Sequence, residues 1–176
     1  MDDLITDSRY SWTRLGLTLF VATVINAGMW VIIVIMPAIE AEYGGTRAMA
    51  SLPYTLTMVG FALGNYVIGR AVDHFGITAS LIVAATMTAI GFGLATLSSS
   101  LLVLSFTQFL VGFASAVGFG PLIADISHWF VRHRGIAVAI VASGNYLSGS
   151  IWPILLAEVL AESGWRAVYI VMAAVT

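Results

Sequence analysis

The sequence contains no cysteine and no lysine, and only 9% of its 176 residues are charged. The absence of cysteine excludes disulfide bonds, thiolate metal sites and a cysteine nucleophile. Soluble domains carry about 25% charged residues, so this small share excludes an ordinary water-soluble surface. With 7 basic residues, 9 acidic residues and a formal net charge of −2, the chain also lacks a basic surface for nucleic acid.

Apolar residues dominate instead. They make up 60% of the chain, and the mean hydropathy is +0.99. A small soluble fold leaves much of its surface in water and could not hide so many apolar side chains. The composition therefore predicts an all-α integral membrane protein whose surroundings are the lipid bilayer. The acidic start, Met1 to Asp7, lacks the positive charge of a secretory signal, so we expect an uncleaved first span.

Uncharged runs divide the chain into six candidate membrane spans. A helix needs about 20 apolar residues to cross ~30 Å of hydrocarbon, and a charge at mid-bilayer costs about 2.5–3.5 kcal/mol. The predicted spans cover residues 15–38, 49–69, 77–97, 101–124, 135–157 and 165–176. The sixth run is too short to cross, so we expect either an interfacial helix or a chain that stops inside a longer protein.

The arginines are divided unequally between the two sides of this predicted bundle. The N-terminal tail and the second and fourth loops carry Arg9, Arg14, Arg70, Arg132 and Arg134. The opposite side carries Arg47 and Arg166. By the positive-inside rule, this distribution predicts a cytoplasmic N-terminus in a plasma membrane or bacterial inner membrane.

Small residues recur at four-residue spacing, a pattern that lets membrane helices approach closely. The positions are Gly60 and Gly64, then Gly112, Ala116 and Gly120, then Gly135, Ala139 and Ser143. We interpret them as helix-packing faces. The motifs of metalloproteases, phosphate-binding loops and serine hydrolases are absent. We therefore predict that the chain is not an enzyme, and we expect neither a metal nor a cofactor.

Four amide side chains fall inside predicted spans, where polar residues are the first candidates for a site. They are Asn26, Asn65, Gln108 and Asn145. One interpretation builds half of a solute cavity from amide donors and aromatic walls, using Asn26, Trp30, Gln108, Asn145 and Trp152. The other is interhelical hydrogen bonding, worth about 0.6–2 kcal/mol for each amide. No charged residue lies in the middle of a complete span, so neither an anion-binding cation nor a proton-coupling carboxylate is present there.

The second predicted loop reads Gly69-Arg70-Ala71-Val72-Asp73-His74-Phe75-Gly76. It resembles the G-x-x-x-D-[RK]-x-G signature of the major facilitator superfamily, with His74 in place of the family's basic residue. The resemblance implies a cytoplasmic gate in which Asp73 holds a helix of the other half of the transporter. A solvated turn is the alternative, because Gly76 can adopt a positive φ.

The fourth loop and fifth span carry a second motif. Residues 129–137 and 143–149 resemble the "WF-x-x-R-R-G-x-A, then S-G-x-x-x-x-G" pattern of the monocarboxylate porter and oxalate–formate antiporter branches. Residues 42–48 and 164–166 resemble the same branches. We assign Gly69, Arg70, Asp73, Gly76, Asp125, Arg132 and Arg134 to the gate. Within it, we expect Asp125 to pair with Arg70 or Arg134.

The resemblance implies the N-terminal six-helix bundle of a major facilitator transporter, with an incomplete sixth helix. It implies secondary active transport of a small solute by alternating access, the solute being an organic anion such as a monocarboxylate. The partner would be the missing C-terminal half of the same transporter. Two alternatives stay open: a half-transporter that homodimerises, and a fragment that transports nothing.

Overall fold

The computed structural model of the chain describes residues 6–44 and 46–176. These residues contain no strand, and their helices are α1 (Arg9–Ile25), α2 (Ala27–Tyr43), α3 (Arg47–Ala50), α4 (Leu52–Thr96), α5 (Leu101–Ser115), α6 (Gly120–Ser127) and α7 (Arg134–Val175). A 3-10 turn, Ala116–Gly118, joins α5 to α6. The predicted all-α fold is confirmed. Residues 1–5 of the acidic start and Gly45 of the first loop lie outside the described residues.

Among the described residues, three helical stretches are long and apolar enough to cross a membrane by length and composition, namely Arg9–Tyr43, Arg47–Thr96 and Leu101–Ser127. They extend past the predicted spans because a helix can continue to the polar edges of a bilayer, where charged side chains are tolerated. The described residues form four long helical stretches and not the six separate helices that we predicted. The reason is that α4 and α7 each continue through one non-helical glycine.

Gly76 is the point at which α4 turns back on itself. Its φ of 80° and ψ of 166° are adopted without strain only by glycine. Before the turn, Gly60 lies against the Phe109 carbonyl of α5, and after it Gly91 lies against Val111. A straight helix would place Gly60 and Gly91 about 46 Å apart, at about 1.5 Å per residue. The two arms of α4, residues 52–75 and 77–96, therefore both pack on α5.

Gly164 makes a similar turn in α7, with φ 76° and ψ 175°. Just after the turn, Trp165 donates a hydrogen bond to Glu42 at the end of α2. Val175, at the end of α7, lines a groove with Phe20 of α1. The second arm of α7, residues 165–175, therefore runs back along the first span towards its beginning.

Short polar side chains, proline and glycine set the ends of the helices. Ser8 caps α1 and Ser100 caps α5, each accepting the backbone N–H three residues ahead at 3.3 Å. Pro53 and Pro121 stand in the first turns of α4 and α6, where the missing N–H has no partner to lose. Gly44 ends α2 with a φ of 67°. The sequence thus encodes the element boundaries locally.

The bundle has two ends, which we name by the residues found there. The tail side carries Asp7 and residues 125–134, which are hydrogen-bonded to one another. The far side carries Glu42 and Arg166, also bonded to each other. Each end has its own buried apolar core. Leu15, Ile126, Phe130 and Val141 belong to the tail-side core, and Ile35, Ile39, Phe92, Trp165 and Tyr169 belong to the far-side core.

Three glycines of the predicted packing faces bring backbones into direct contact, whereas nothing lies within 4 Å of a Cβ atom added at Gly135. A methyl group on Gly60 or Gly64 would overlap the carbonyl groups of Phe109 or Phe113. A methyl group on Gly112 would overlap the backbone of Thr57. The interpretation of these three glycines as helix-packing positions is confirmed, and they let the backbone of the first arm of α4 lie directly on that of α5.

Replacing Gly112 by alanine should destabilise the protein by about 1–3 kcal/mol, because the new methyl group has no room beside Thr57. Gly93 is the matched control, since nothing lies within 4 Å of the position of its added Cβ atom. Gly93→Ala should be neutral or stabilising. Thermal unfolding in detergent measures both variants. Equal melting temperatures would contradict the close packing of α4 on α5.

Candidate functional site

Two interrupted helices face each other in the middle of the bundle. The stretch Arg9–Tyr43 passes from α1 to α2 at Asn26, and the stretch Leu101–Ser127 contains the 3-10 turn Ala116–Gly118. The Asn26 side chain is fully buried. Its Nδ2 donates to the Ala22 carbonyl at 2.8 Å and across to the Gly118 carbonyl at 2.9 Å. Asn26 therefore gives the Gly118 carbonyl, at the 3-10 turn, a hydrogen-bond donor from the facing helix.

Gln108 is the centre of a second buried polar group. The Thr57 hydroxyl donates to Gln108 Oε1 at 3.2 Å, and Gln108 Nε2 donates to the Tyr169 hydroxyl. All three side chains are fully buried. The amide thereby joins α5 to the first arm of α4 and to the second arm of α7.

Asn26 and Gln108 thus make the interhelical hydrogen bonds that were the alternative to solute binding. Each has 0% of its surface exposed, and each uses amide N–H groups within the bundle. Asn65 donates to the Phe61 carbonyl of its own helix at 2.9 Å. The role of these amides in contacting a solute stays a prediction.

Trp30 and Asn145 form a half-buried pair between the first span and α7. The Trp30 Nε1–H donates to Asn145 Oδ1 at 3.1 Å. The indole ring lies directly on Gly149, where an added Cβ atom would come 2.9 Å from the ring carbons. Only glycine leaves room for the ring there. In the described residues the Asn145 side-chain nitrogen has no hydrogen-bond acceptor.

Trp152 was predicted as an aromatic wall of the cavity, and it lies on the same helix as Asn145. Its indole N–H donates to the Thr23 carbonyl at 3.0 Å, and 9% of its surface is exposed. The bond falls three residues before the break at Asn26. Trp152 therefore supports the interrupted backbone of the first span, and its contact with solute stays a prediction.

Asp125 pairs with Arg14 of α1, and not with Arg70 or Arg134 as predicted. The Arg14 Nη2 to Asp125 Oδ2 distance is 2.9 Å. Arg70 donates instead to the Tyr66 hydroxyl at 3.0 Å, and Arg134 donates to the Phe130 carbonyl at 3.1 Å. The prediction failed because it considered only the loops. Arg14 lies inside α1, and its guanidinium also covers the Trp129 ring at 4.3 Å.

The residues assigned to the gate fall into two separate groups. Asp125 and the segment with Arg132 and Arg134 lie against the N-terminal tail. Arg70 and Asp73 are exposed on α4, next to the turn at Gly76. In the part of the chain that the structure describes, Asp73 has no hydrogen bond or ion pair. A gating role for the second group stays a prediction.

Asp7 holds the loop between α6 and α7, a role that the sequence did not indicate. Its carboxylate accepts the backbone N–H groups of Val131, Arg132 and His133 at 3.1, 2.9 and 3.2 Å. It also contacts His133 Nδ1 at 2.9 Å. The backbone bond from Arg132, then the side-chain bond from His133, lower the pKa of Asp7 from 3.8 to about 2. The tail is therefore bonded to the segment that starts α7.

A second charged cluster on the far side also escaped the sequence analysis. Glu42 accepts two hydrogen bonds from the Arg166 guanidinium, at 2.9 and 2.6 Å, and one from Trp165 Nε1 at 2.6 Å. Tyr43 donates to the Ser98 carbonyl at 3.0 Å. Both motifs that resemble the monocarboxylate branches, residues 42–48 and 164–166, thus meet here. The only sequence signal for this cluster was that Glu42 and Arg166 have opposite charges and fall on the same predicted side of the bundle.

Replacing Asp125 by asparagine should lower the unfolding free energy by about 1 kcal/mol, because the partly buried pair with Arg14 loses its charge. Arg14→Gln should have a similar effect, and the double variant should lose less than the sum of the two. Arg70→Gln is the control, whose effect should add to that of Asp125→Asn. Thermal unfolding measures the three single variants and the two double variants, Asp125→Asn with Arg14→Gln and Asp125→Asn with Arg70→Gln. Coupling of Asp125 to Arg70 in place of Arg14 would overturn the observed pairing.

The Asp7 carboxylate should stabilise the fold only where it is ionised. Its pKa is depressed in the folded state, so its contribution is complete above about pH 5 and is lost as the pH falls through about 2. Asp7→Asn should therefore lower the melting temperature at pH 5 and much less at pH 2. Asp73→Asn, which removes an exposed and unbonded carboxylate, should change neither value. A loss in Asp7→Asn of the same size at both pH values would contradict the assignment.

The chain matches known membrane transporters along most of its length. The Major Facilitator Superfamily profile matches residues 18–176. The "Probable sulfoacetate transporter SauU" of Cupriavidus necator is 29% identical over 141 residues, which cover 80% of this chain and 33% of that protein. "Monocarboxylate transporter 6" of mouse is 28% identical over 101 residues, covering 57% of this chain and 22% of that protein.

A third relative, the "MFS-type transporter pytF" of Aspergillus terreus, is 45% identical over 56 residues, which cover 32% of this chain and 19% of that protein. The chain thus spans a fifth to a third of the length of these curated relatives. All three are named as transporters, and the prediction that the chain is not an enzyme is confirmed. The matched residues take in every helix after the start of α1, and the chain belongs to the major facilitator superfamily of integral membrane transport proteins.

Proposed function

We propose that the chain is the N-terminal bundle of a secondary active transporter that moves a small organic anion by alternating access. The family match over residues 18–176 carries this proposal. Two relatives are named for sulfoacetate and for monocarboxylates, which are organic anions. Alternating access in such folds moves two bundles around a site near the membrane midplane.

The six-span topology is part of the proposal. The turns at Gly76 and Gly164 divide α4 and α7 into four arms, and Arg9–Tyr43 and Leu101–Ser127 supply two further stretches. The second arm of α7 is about 16 Å long, at about 1.5 Å per residue, roughly half of a bilayer. In the proposal, this arm is the sixth span.

The proposed partner is a C-terminal half in the same polypeptide. A groove of about 440 Å³ lies between α1 and the second arm of α4, and Val175 and Thr176 stand at it. Its other lining residues are almost all apolar, among them Phe20, Val24, Leu81 and Ile82. We propose that apolar residues of the other half cover this groove. The chain matches only 33% of the length of the sulfoacetate transporter relative, which supports the same proposal.

The solute's negative charge must then be neutralised elsewhere. In the residues that the structure describes, the charged side chains stand at the two ends of the bundle and at its loops, as in the pairs of Arg14 with Asp125 and Arg166 with Glu42. This bundle would contribute uncharged hydrogen-bond donors and aromatic surface. The cation would come from the other half. With five of seven arginines on the tail side, we place that side in the cytoplasm of a plasma or bacterial inner membrane.

The first experiment is to read the native gene past codon 176 and to reconstitute its product in liposomes. We expect the frame to continue into further spans, and we expect saturable uptake of labelled carboxylates or sulfonates that matched neutral amides do not inhibit. Uptake of neutral solutes alone would refute the anion assignment. A stop codon immediately after Thr176, together with a crosslinked dimer that transports the solute, would favour the homodimeric half-transporter over this proposal. A stop codon together with no measurable transport would favour the alternative of a fragment that transports nothing.

A further inference from the structure

Four amide side chains lie inside the spans, and the structure separates them by what their nitrogen atoms do. The nitrogens of Asn26, Asn65 and Gln108 donate to protein acceptors. In the described residues the Asn145 nitrogen alone among these has no acceptor, although Asn145 Oδ1 accepts from Trp30. Asn145 is also half-buried, whereas Asn26 and Gln108 are fully buried. Asn145 is therefore the amide whose NH₂ group remains available to a ligand.

The hydrogen bond from Trp30 determines which atom of the Asn145 amide, the oxygen or the nitrogen, is available to a ligand. An indole N–H can only donate, so it must face the amide oxygen and cannot face the amide nitrogen. The observed 3.1 Å bond from Trp30 Nε1 to Asn145 Oδ1 has this sense. The side-chain NH₂ of Asn145 is thereby directed away from Trp30 with both of its hydrogens free. Two free donors suit an acceptor-rich group such as a carboxylate or sulfonate.

The position of Trp30 is itself fixed. Its ring lies on Gly149, one turn along α7 from Asn145, with 2.9 Å between the ring carbons and the position of an added Cβ atom. The ring therefore cannot approach α7 more closely, and any side chain at position 149 would push it away. A rigid aromatic support holds the amide in one orientation without using an ionised residue.

We infer that Trp30 is a positioning residue that orients Asn145 so that its NH₂ group binds an oxygen of an anionic solute. This inference rests on the proposed anion transport and adds the group that recognises the solute. Trp30 acts through its hydrogen bond to Asn145, and its ring is held in place by its contact with Gly149. The recognised chemistry is an oxyanion and not a hydrogen-bond donor such as a primary ammonium group.

The test uses the reconstituted full gene product and separates KM from kcat. Asn145→Asp keeps an oxygen for the Trp30 N–H but replaces the two donors by an acceptor. We expect KM for a carboxylate to rise about tenfold or more, which corresponds to at least about 1.4 kcal/mol, while kcat changes less. Trp30→Phe keeps the ring on Gly149 but removes the N–H, and we expect a smaller rise in KM.

The double variant shows whether Trp30 acts through Asn145. In the Asn145→Asp background, Trp30→Phe should have no further effect on KM, because the donors that it orients are already gone. Equal effects of Trp30→Phe in both backgrounds would reduce Trp30 to a packing residue and overturn the inference. Trp12→Phe, at the exposed start of α1, is the matched control and should leave KM unchanged.

The outcomes distinguish the inference from the proposed function. If the wild-type protein takes up organic anions and Asn145→Asp leaves KM unchanged, the inference fails and anion transport stands. If the wild-type protein takes up only neutral solutes, both fail. A direct readout supports the same distinction: the ¹⁵N side-chain signal of Asn145, identified by its loss in Asn145→Asp, should shift with propanoate but not with propanamide. A shift with both solutes would overturn the preference for an oxyanion.

Discussion

Every backbone N–H and C=O group that leaves a helix inside a membrane needs a partner from the protein. The fold depends on how this demand is met at two places. The stretch Arg9–Tyr43 passes from α1 to α2 at Asn26, the stretch Leu101–Ser127 contains the 3-10 turn Ala116–Gly118, and the two places face each other. Asn26 Nδ2 bonds to the Ala22 and Gly118 carbonyls, and the Trp152 indole bonds to the Thr23 carbonyl. The Gly118 and Thr23 carbonyls thereby accept hydrogen bonds from side chains of other helices.

Around this centre, the bundle is organised by how closely its backbones can approach. Glycines at positions 60, 64 and 112 put the first arm of α4 in direct contact with α5. Charged contacts are confined to the two ends, where Arg14 meets Asp125 and Arg166 meets Glu42. The middle is therefore held by packing and by neutral hydrogen bonds. Among these neutral groups, Asn145 is the amide whose nitrogen has no acceptor in the described residues.

The sequence predicted the parts of the fold that depend on local signals. Apolar runs gave the helices, and the four-residue spacing of glycines gave their contact faces. It could not predict pairings that depend on how spans are arranged. Arg14, inside α1, was overlooked as the partner of Asp125 because loop residues were considered first. Asp7 bonds to His133 across 126 positions. The amides were found from the sequence, but only their hydrogen-bond partners distinguish Asn26 from Asn145.

The first span is fastened at both ends and interrupted at its midpoint. Arg14 attaches its beginning to Asp125, and Glu42 attaches its end to Arg166 beyond the turn at Gly164. Asn26 lies halfway along the stretch Arg9–Tyr43. A span held at both ends and divided at its midpoint is expected to bend at Asn26 and not to slide along its axis. We therefore expect a movement that preserves both ion pairs to change the angle between α1 and α2.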